Sequence, residues 1–299
     1  MDSNYKFIKV LGSGSFGTTW LAQDKKSSEK VAIKIFKARD KTKSNIEEFQ
    51  WEIEMLSALL KECFPHAVCA RESYIENGDP RLVMDFVDGE NLSDQIFTKW
   101  PRKKSTLECD LIRGIRVVHS HGIVHEDIKG ANIMWDKKMK MYRYIDFGLS
   151  CTKQYSKDGM VNLNRIRFPC GTYGTKYIAS PDMELYRQTN KIIPWEILQA
   201  HDYWAIGLEI LRWHTLNPKL DMYYYVEYMK FCKKNNMDLT KKFIREAHLD
   251  SAYPLYWKLD PRFIEYEISK VKNSTSKALL FLLLEQDGHK RFENFQTIE

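Results

Sequence analysis

The stretch His125-Glu126-Asp127-Ile128-Lys129-Gly130-Ala131-Asn132, followed by Asp146-Phe147-Gly148, constrains this chain more than any other feature. It sets a carboxylate, an ammonium, an amide and a second carboxylate at short, fixed spacing. Either cluster alone would mean little, because short motifs recur by chance. Together they match what transfer of a phosphoryl group asks of a protein, which is positioning and charge neutralisation. Asp127 is placed to accept or orient a hydroxyl proton. Lys129, two residues on, can offset charge on the moving group. Asn132 and Asp146 offer the hard oxygen ligands that Mg2+ requires. Phe147-Gly148 supplies an apolar anchor and a flexible joint beside that carboxylate.

Nearer the N-terminus, Leu11, Gly12, Ser13, Gly14, Ser15, Phe16, Gly17, Thr18 and Thr19 form a glycine-rich loop. Its glycines permit close backbone approach to phosphates. The same G-x-G-x-x-G spacing occurs in dinucleotide-binding turns, where the third Gly opens a helix. Here Thr18-Thr19-Trp20-Leu21-Ala22 follows, and its composition favours a strand and a hairpin lid. Val31-Ala32-Ile33-Lys34 then reads as a short apolar strand ending in a cation.

Residues 44–61 read as an amphipathic helix. Ser44 and Glu47 suit a capping box, and Ile46, Phe49, Ile53, Leu56 and Leu60 make an apolar stripe at helical spacing. Glu52 lies on that stripe, three residues after Phe49 and four before Leu56. Glu48 and Glu54 read as solvated charges.

These motifs resemble the eukaryotic-type Ser/Thr protein kinases. The family's H-R-D-L-x-x-x-N reads as His125, Glu126, Asp127, Ile128 and Asn132, and its D-F-G as Asp146-Phe147-Gly148. V-A-I-K is matched by Val31-Ala32-Ile33-Lys34. The resemblance implies an α+β bilobal fold over residues 5–295. A small N-terminal antiparallel sheet with one helix would span about 5–88, and a larger, mainly helical lobe about 89–295. It implies ATP and Mg2+, with Lys34 on the inner phosphates and paired to Glu52. Arg81 to Gly89 would be the strand and hinge between lobes. Met84 would back the adenine pocket and the backbone of Asp85 and Val87 would meet its edge. Leu11, Thr19, Ala32 and Met134 would form the pocket's walls. Thr19 stands where the family commonly has Val.

Gly174 to Asp182 resembles the end of a kinase activation segment. The family's A-P-E becomes Ser180-Pro181-Asp182, and Arg291 is its expected partner. Thr175 matches the threonine that contacts the catalytic Asp and Lys. Asp202 to Gly207 resembles the family's D-x-W-S-x-G helix start. Lys129 in Asp-x-Lys-x-x-Asn resembles Ser/Thr rather than Tyr kinases.

Glu126 is the main departure, since the family commonly has an arginine there that docks an activation-segment phosphate. An acid cannot do so, and independence from such phosphorylation is expected. Lys153, Lys157, Arg165 and Arg167 are the basic candidates to pair with it. That basic segment, with Ala131 where many base-directed kinases carry an acid, favours acidic or already phosphorylated protein substrates. The alternative from another class is a pseudokinase acting as a nucleotide-binding scaffold. Against it, Lys34, Glu52, Asp127, Lys129, Asn132 and Asp146 are all present.

Composition adds exclusions. The net charge of +6 is spread over dispersed lysine pairs, and no nucleic-acid motif accompanies them. Six cysteines lack any Cys-x-x-Cys, so neither a disulfide framework nor a zinc site is expected. That usage fits a reducing, intracellular setting, cytoplasmic or nuclear. No signal-peptide core is seen, and the apolar run Ala278 to Leu284 is too short to span a bilayer and reads as a buried helix. The compact chain and the acid at 126 would suit a stand-alone or virus-encoded kinase. The oligomeric state is not readable from the sequence.

Overall fold

A computed structural model of the chain describes residues 4–14, 17–36, 63–98, 106–153, 156–157, 160–161, 170–171, 175, 178–189, 193–215, 228–236 and 260–298. The expected helix over 44–61, and Glu52 with it, lies outside the described residues, as do Ser15 and Phe16.

Five strands open the chain: β1 (Tyr5–Gly14), β2 (Gly17–Asp24), β3 (Lys30–Phe36), β4 (Ala70–Glu76) and β5 (Asp79–Asp85). They form one antiparallel sheet in the order β1-β2-β3-β5-β4. Alternation along β3 sets Ala32, Lys34 and Phe36 on one face and Val31, Ile33 and Ile35 on the other. The register places Thr19 and Leu82 opposite Lys34, and Leu21 and Met84 opposite Ala32. Opposed residues share a face, so Thr19, Ala32, Lys34 and Met84 line one side together. Gly17 sits where a Cβ would collide with the backbone carbonyl of Ile35, so only glycine lets β2 begin this close to β3.

Helices dominate the rest: α1 (Leu92–Thr98), α2 (Leu107–Ser120), α3 (Pro181–Thr189), α4 (Trp195–Thr215), α5 (Pro261–Ser269), α6 (Ser274–Leu283) and α7 (Gly288–Gln296). Leu107, Leu111, Ile115 and Val118 recur along α2 at helical spacing and are all buried. Burying each contributes roughly 1.5–3 kcal/mol. The helix stops where Gly122, at φ +69°, turns the chain back.

Short strands then frame the catalytic loop. The pair β6 (Ile123–Val124) and β9 (Cys151–Thr152) brackets it, and β7 (Ile133–Asp136) folds back on β8 (Met141–Tyr144). Asp110 of α2 anchors that hairpin, because its Oδ2 accepts from the Tyr142 N–H at 3.0 Å. β7 is also joined to the segment after β5, through Trp135 N to Glu90 O at 3.0 Å and Lys137 N to Asp88 O at 3.2 Å.

A continuous apolar core runs from Leu82 and Met84 of the sheet through Ile128 and Phe147 to Trp204 and Leu208 of α4. The strand reading of residues 18–22 and the antiparallel sheet agree with expectation. Two expectations are corrected. Asp202 does not begin a helix, because α4 starts at Trp195 and the buried stripe extends through that extra stretch. The run 278–284 is helical but buried on one face only, with Phe281 left exposed. Among the described residues, no helix is long and apolar enough to cross a membrane.

Candidate active site

The turn Gly130–Asn132 compresses the catalytic loop so that one carboxylate gathers its neighbours. Asp127 Oδ1 accepts from Thr175 Oγ1 at 2.6 Å and from the Thr175 N–H at 3.2 Å. Its Oδ2 accepts from Lys129 Nζ at 2.7 Å and from Asn132 Nδ2 at 3.0 Å. Lys129 also donates to Thr175 Oγ1 at 3.0 Å, which closes a triangle of carboxylate, ammonium and hydroxyl. Charge-assisted bonds of this kind are short and orient the groups strongly. Gly130 is needed for the compression, since a Cβ there would collide with Ser93 Oγ.

Asp146 follows β8, in the left-handed region at φ +60°. It receives the Lys34 ammonium across the cleft at 3.1 Å. Burial works to raise the Asp146 pKa, but the Lys34 charge and hydrogen bond outweigh it and hold the carboxyl below its ordinary value. Its side chain is nonetheless 46% exposed at the mouth of the cleft, so it lies among protein mass while still facing solvent. Lys34 is buried, with its ammonium also 5.2 Å from the Phe36 ring centre. Phe147 turns inward, wholly buried, with its ring 4.8 Å from that of His125. His125 holds this corner in one tautomer. Nδ1 accepts from the Asp127 N–H at 3.4 Å, so Nε2 donates to Ile145 O at 3.2 Å.

The sequence-derived nucleotide residues are distributed over the β1–β2 hairpin, the sheet, the segment after it and β7. Gly12, Ser13, Gly14, Gly17, Thr18 and Thr19 occupy the β1–β2 hairpin, with Gly12 opposite Thr19 and Gly14 opposite Gly17. Gly12 and Gly14 face open space. Leu11 is exposed at the edge of the hairpin, while Ala32 and Met84 are buried. The Asp85 N–H donates to Cys69 O at 2.9 Å. Val87 is buried, and Met134 forms an antiparallel bridge with Asn91.

Contacts that the motifs did not reveal hold the loop in place. Asp202 of α4 is fully buried, and its carboxylate accepts from the His125 N–H at 2.8 Å and the Glu126 N–H at 2.9 Å. Glu126 sits at φ +62°, so these bonds fix a strained backbone directly before Asp127. His119 Nε2 donates to the same carboxylate at 2.9 Å and its Nδ1 accepts from the Tyr203 hydroxyl at 3.0 Å. Burial pushes the Asp202 pKa up, but the His119 bond together with the nearby His119, His125 and His201 rings outweighs it, so the net direction is down. Ser150 Oγ adds a bond to His125 O at 3.2 Å. The Asp202 motif was visible in the sequence, but its two backbone bonds were not.

The activation-segment end behaves as expected. Arg291, wholly buried, ion-pairs with Asp182, and its Nε donates to Ala200 O at 2.7 Å. Asp182 Oδ1 also accepts from the Gly288 N–H at 2.8 Å.

Glu126 does engage this segment, through the backbone: its Oε2 accepts from the Gly171 N–H at 2.6 Å. Of the basic candidates, Arg165 and Arg167 lie outside the described residues. The expectation of no disulfides is corrected, because Cys63–Cys69 and Cys151–Cys170 are both bridged. The fold brings their Cα atoms to 5.7 and 5.5 Å, within the reach of a disulfide, which residue spacing alone could not show.

A sheet carrying a glycine-rich hairpin and Lys34 is thus joined through the Lys34–Asp146 pair to a helical part carrying Asp127, Asn132 and Asp146. The protein kinase domain model matches residues 5–299, and the chain belongs to that family. Among curated proteins, it is 32% identical over 195 residues to calcium-dependent protein kinase 4 of Plasmodium falciparum (isolate 3D7), covering 61% of this chain and 33% of that protein. It is 30% identical over 156 residues to calcium-dependent protein kinase 32 of Arabidopsis thaliana, covering 50% and 29%. Mitogen-activated protein kinase kinase kinase ANP1 of the same plant is 27% identical over 216 residues, covering 69% and 30%. The chain thus spans about a third of the length of these relatives.

Proposed function

We propose that the chain is a Ser/Thr protein kinase that transfers the γ-phosphoryl of ATP to protein hydroxyls. The observation that carries this reading is the Asp127 carboxylate, held by Lys129, Asn132 and Thr175 in the cleft where Lys34 meets Asp146. Asp127 orients the attacking hydroxyl and takes its proton, while Lys129 offsets charge on the transferred group. Thr175 locks the two in register. Lys34 attracts the inner phosphates, and the β1–β2 glycines let backbone close over them.

The donor set fits a divalent cation of the Mg2+ class: an ionised carboxylate at the cleft mouth and an amide oxygen, both hard ligands. Asn132 and Asp146 would hold it, and when bound it neutralises phosphate charge.

Three finer parts belong to the same proposal. The kinase domain spans 5–295, with a small lobe to about 88 and a large lobe beyond. Activity is independent of a phosphate docked at position 126, since the Glu126 carboxylate would repel it. Substrates are acidic or pre-phosphorylated proteins, attracted by the basic segment to which the exposed Lys153 belongs. The test is transfer from labelled ATP with Mg2+ to acidic and basic protein substrates. Wild type should transfer, and Asp127→Asn and Lys34→Met should not. Transfer that survives Asp127→Asn removes the assignment, and nucleotide binding without transfer in the wild type favours the pseudokinase scaffold.

A further inference from the structure

Resting on the kinase reading, we propose that Cys151 and Cys170 form a reversible oxidative modification site that docks the activation segment onto the catalytic loop. The two thiols come from opposite ends of that segment, 19 residues apart. Cys151 is fixed at one end, because it pairs with Val124 in the β6–β9 ladder directly before His125. Cys170 precedes Gly171, whose N–H reaches the Glu126 carboxylate at 2.6 Å. Four residues further on, Thr175 makes its bonds to Asp127 and Lys129. The bridge and the Glu126 bond therefore act on adjacent residues, Cys170 and Gly171, four to five positions before Thr175. A carboxylate at 126 repels phosphate, so this segment needs a tether of different chemistry, and the bridge supplies one.

The cluster also has the composition of a metal site, since Glu126, Cys151 and Cys170 bring ligand atoms within 4.8 Å of one another. A disulfide fits it better. The Cα separation of 5.5 Å lies in the disulfide range. A structural zinc site takes four ligands, and the described residues group only three. The Glu126 carboxylate, moreover, is engaged with Gly171.

Chemically, the site takes a small-molecule disulfide such as oxidised glutathione. One cysteine thiolate attacks it, which releases one glutathione thiolate and leaves a mixed disulfide. The second cysteine, as thiolate, displaces the other glutathione and forms the Cys151–Cys170 bond. Two protons leave the protein, two electrons pass to glutathione, and one S–S bond is exchanged for another. Both cysteines are buried, so the two sulfurs must become exposed before exchange proceeds in either direction.

The experiment equilibrates the full chain in glutathione buffers from reducing to oxidising and takes three readings. Peptide mapping without reductant should find Cys151 linked to Cys170 in the oxidised sample and not in the reduced one. Amide hydrogen exchange at Gly171 and Thr175 should be slower in the oxidised sample. Transfer to a protein substrate should fall roughly tenfold or more on reduction, as expected when a positioning element is loosened, with ATP affinity unchanged. Cys151→Ser and Cys170→Ser should hold all three readings at the reduced level in every buffer. If either variant fails to fold, the reversible response of the wild type decides. Absence of the linked peptide, equal exchange in both states, or stoichiometric zinc released by thiol reagents would each overturn the proposal. A chain that transfers nothing in any buffer would refute the kinase reading instead, while the peptide and exchange readings would still decide the tether.

Discussion

Lys34 and Asp146 meet across the cleft at 3.1 Å, although 112 residues separate them in the chain. The contact ties β3 of the sheet to the residue that follows β8. It also favours the ionised form of the Asp146 carboxylate.

Lys34→Met should therefore raise the titration midpoint of Asp146. With the ammonium gone, burial is opposed only by His125 and the Gly148 N–H, and the neutral acid gains. In the wild type the folded pKa lies below the ordinary value of 3.8. The carboxylate's contribution is thus complete above that value and lost as pH falls through the folded midpoint. Carboxyl-resolved NMR titration of both proteins checks this, and equal midpoints would count against the pairing. Solvent screening at this half-exposed group keeps the effect on global stability small.

Thr175→Ala should lower kcat roughly ten- to hundredfold, the range expected when a hydrogen bond to a charged group is lost. The KM for ATP should not change, because Thr175 touches Asp127 and Lys129 on the acceptor side. Thr175→Ser keeps the hydroxyl and should restore most of the rate. Steady-state kinetics on the three proteins separate a positioning role from a folding defect.

Asp202→Asn should cost about 1–3 kcal/mol of stability, since an amide oxygen cannot serve all the donors that the carboxylate serves. Because the folded Asp202 pKa is depressed, its stabilisation is present above 3.8 and disappears as pH falls through the folded value. The variant should accordingly lose less stability than wild type between pH 5 and acid, roughly the window over which such groups titrate. Urea unfolding at several pH values reads both effects.

Arg291→Ala should cost about 3–5 kcal/mol, because it strands Asp182 and empties a wholly buried site. Pairing it with Asp182→Asn should cost less than the sum of the single changes, as coupled sites do. A double-mutant cycle by chemical denaturation gives the coupling, and strict additivity would refute a direct pair.

Much of the site was legible because its parts are local. The polar groups gathered on the Asp127 carboxylate come from within the loop, Lys129 and Asn132, and from Thr175. The β3 lysine sits where strand alternation puts it. Arg291 was legible through its resemblance, with spacing from Asp182 that no local rule would link. Other features depend on distance in the chain. The bonds from the His125 and Glu126 amides to Asp202 span more than 70 residues. Arg143 is similar: its buried guanidinium reaches Asp85, Asp136 and the Ala67 carbonyl at 3.3, 3.2 and 2.7 Å. Nothing in the neighbourhood of Arg143 in the sequence announces those partners. The cysteines were misjudged for the same reason, since bridging depends on Cα approach and not on spacing.

Helix α4 is buried along nearly its whole length, and three of its residues serve three separate places. Asp202 grips the loop before Asp127, Glu209 lies against Gly130, and the Ala200 carbonyl receives Arg291. An insertion of one residue within it would turn everything downstream by about 100°. At least one of those three anchorages would then be lost, so the helix should accept conservative replacements along its length yet refuse any change in its length.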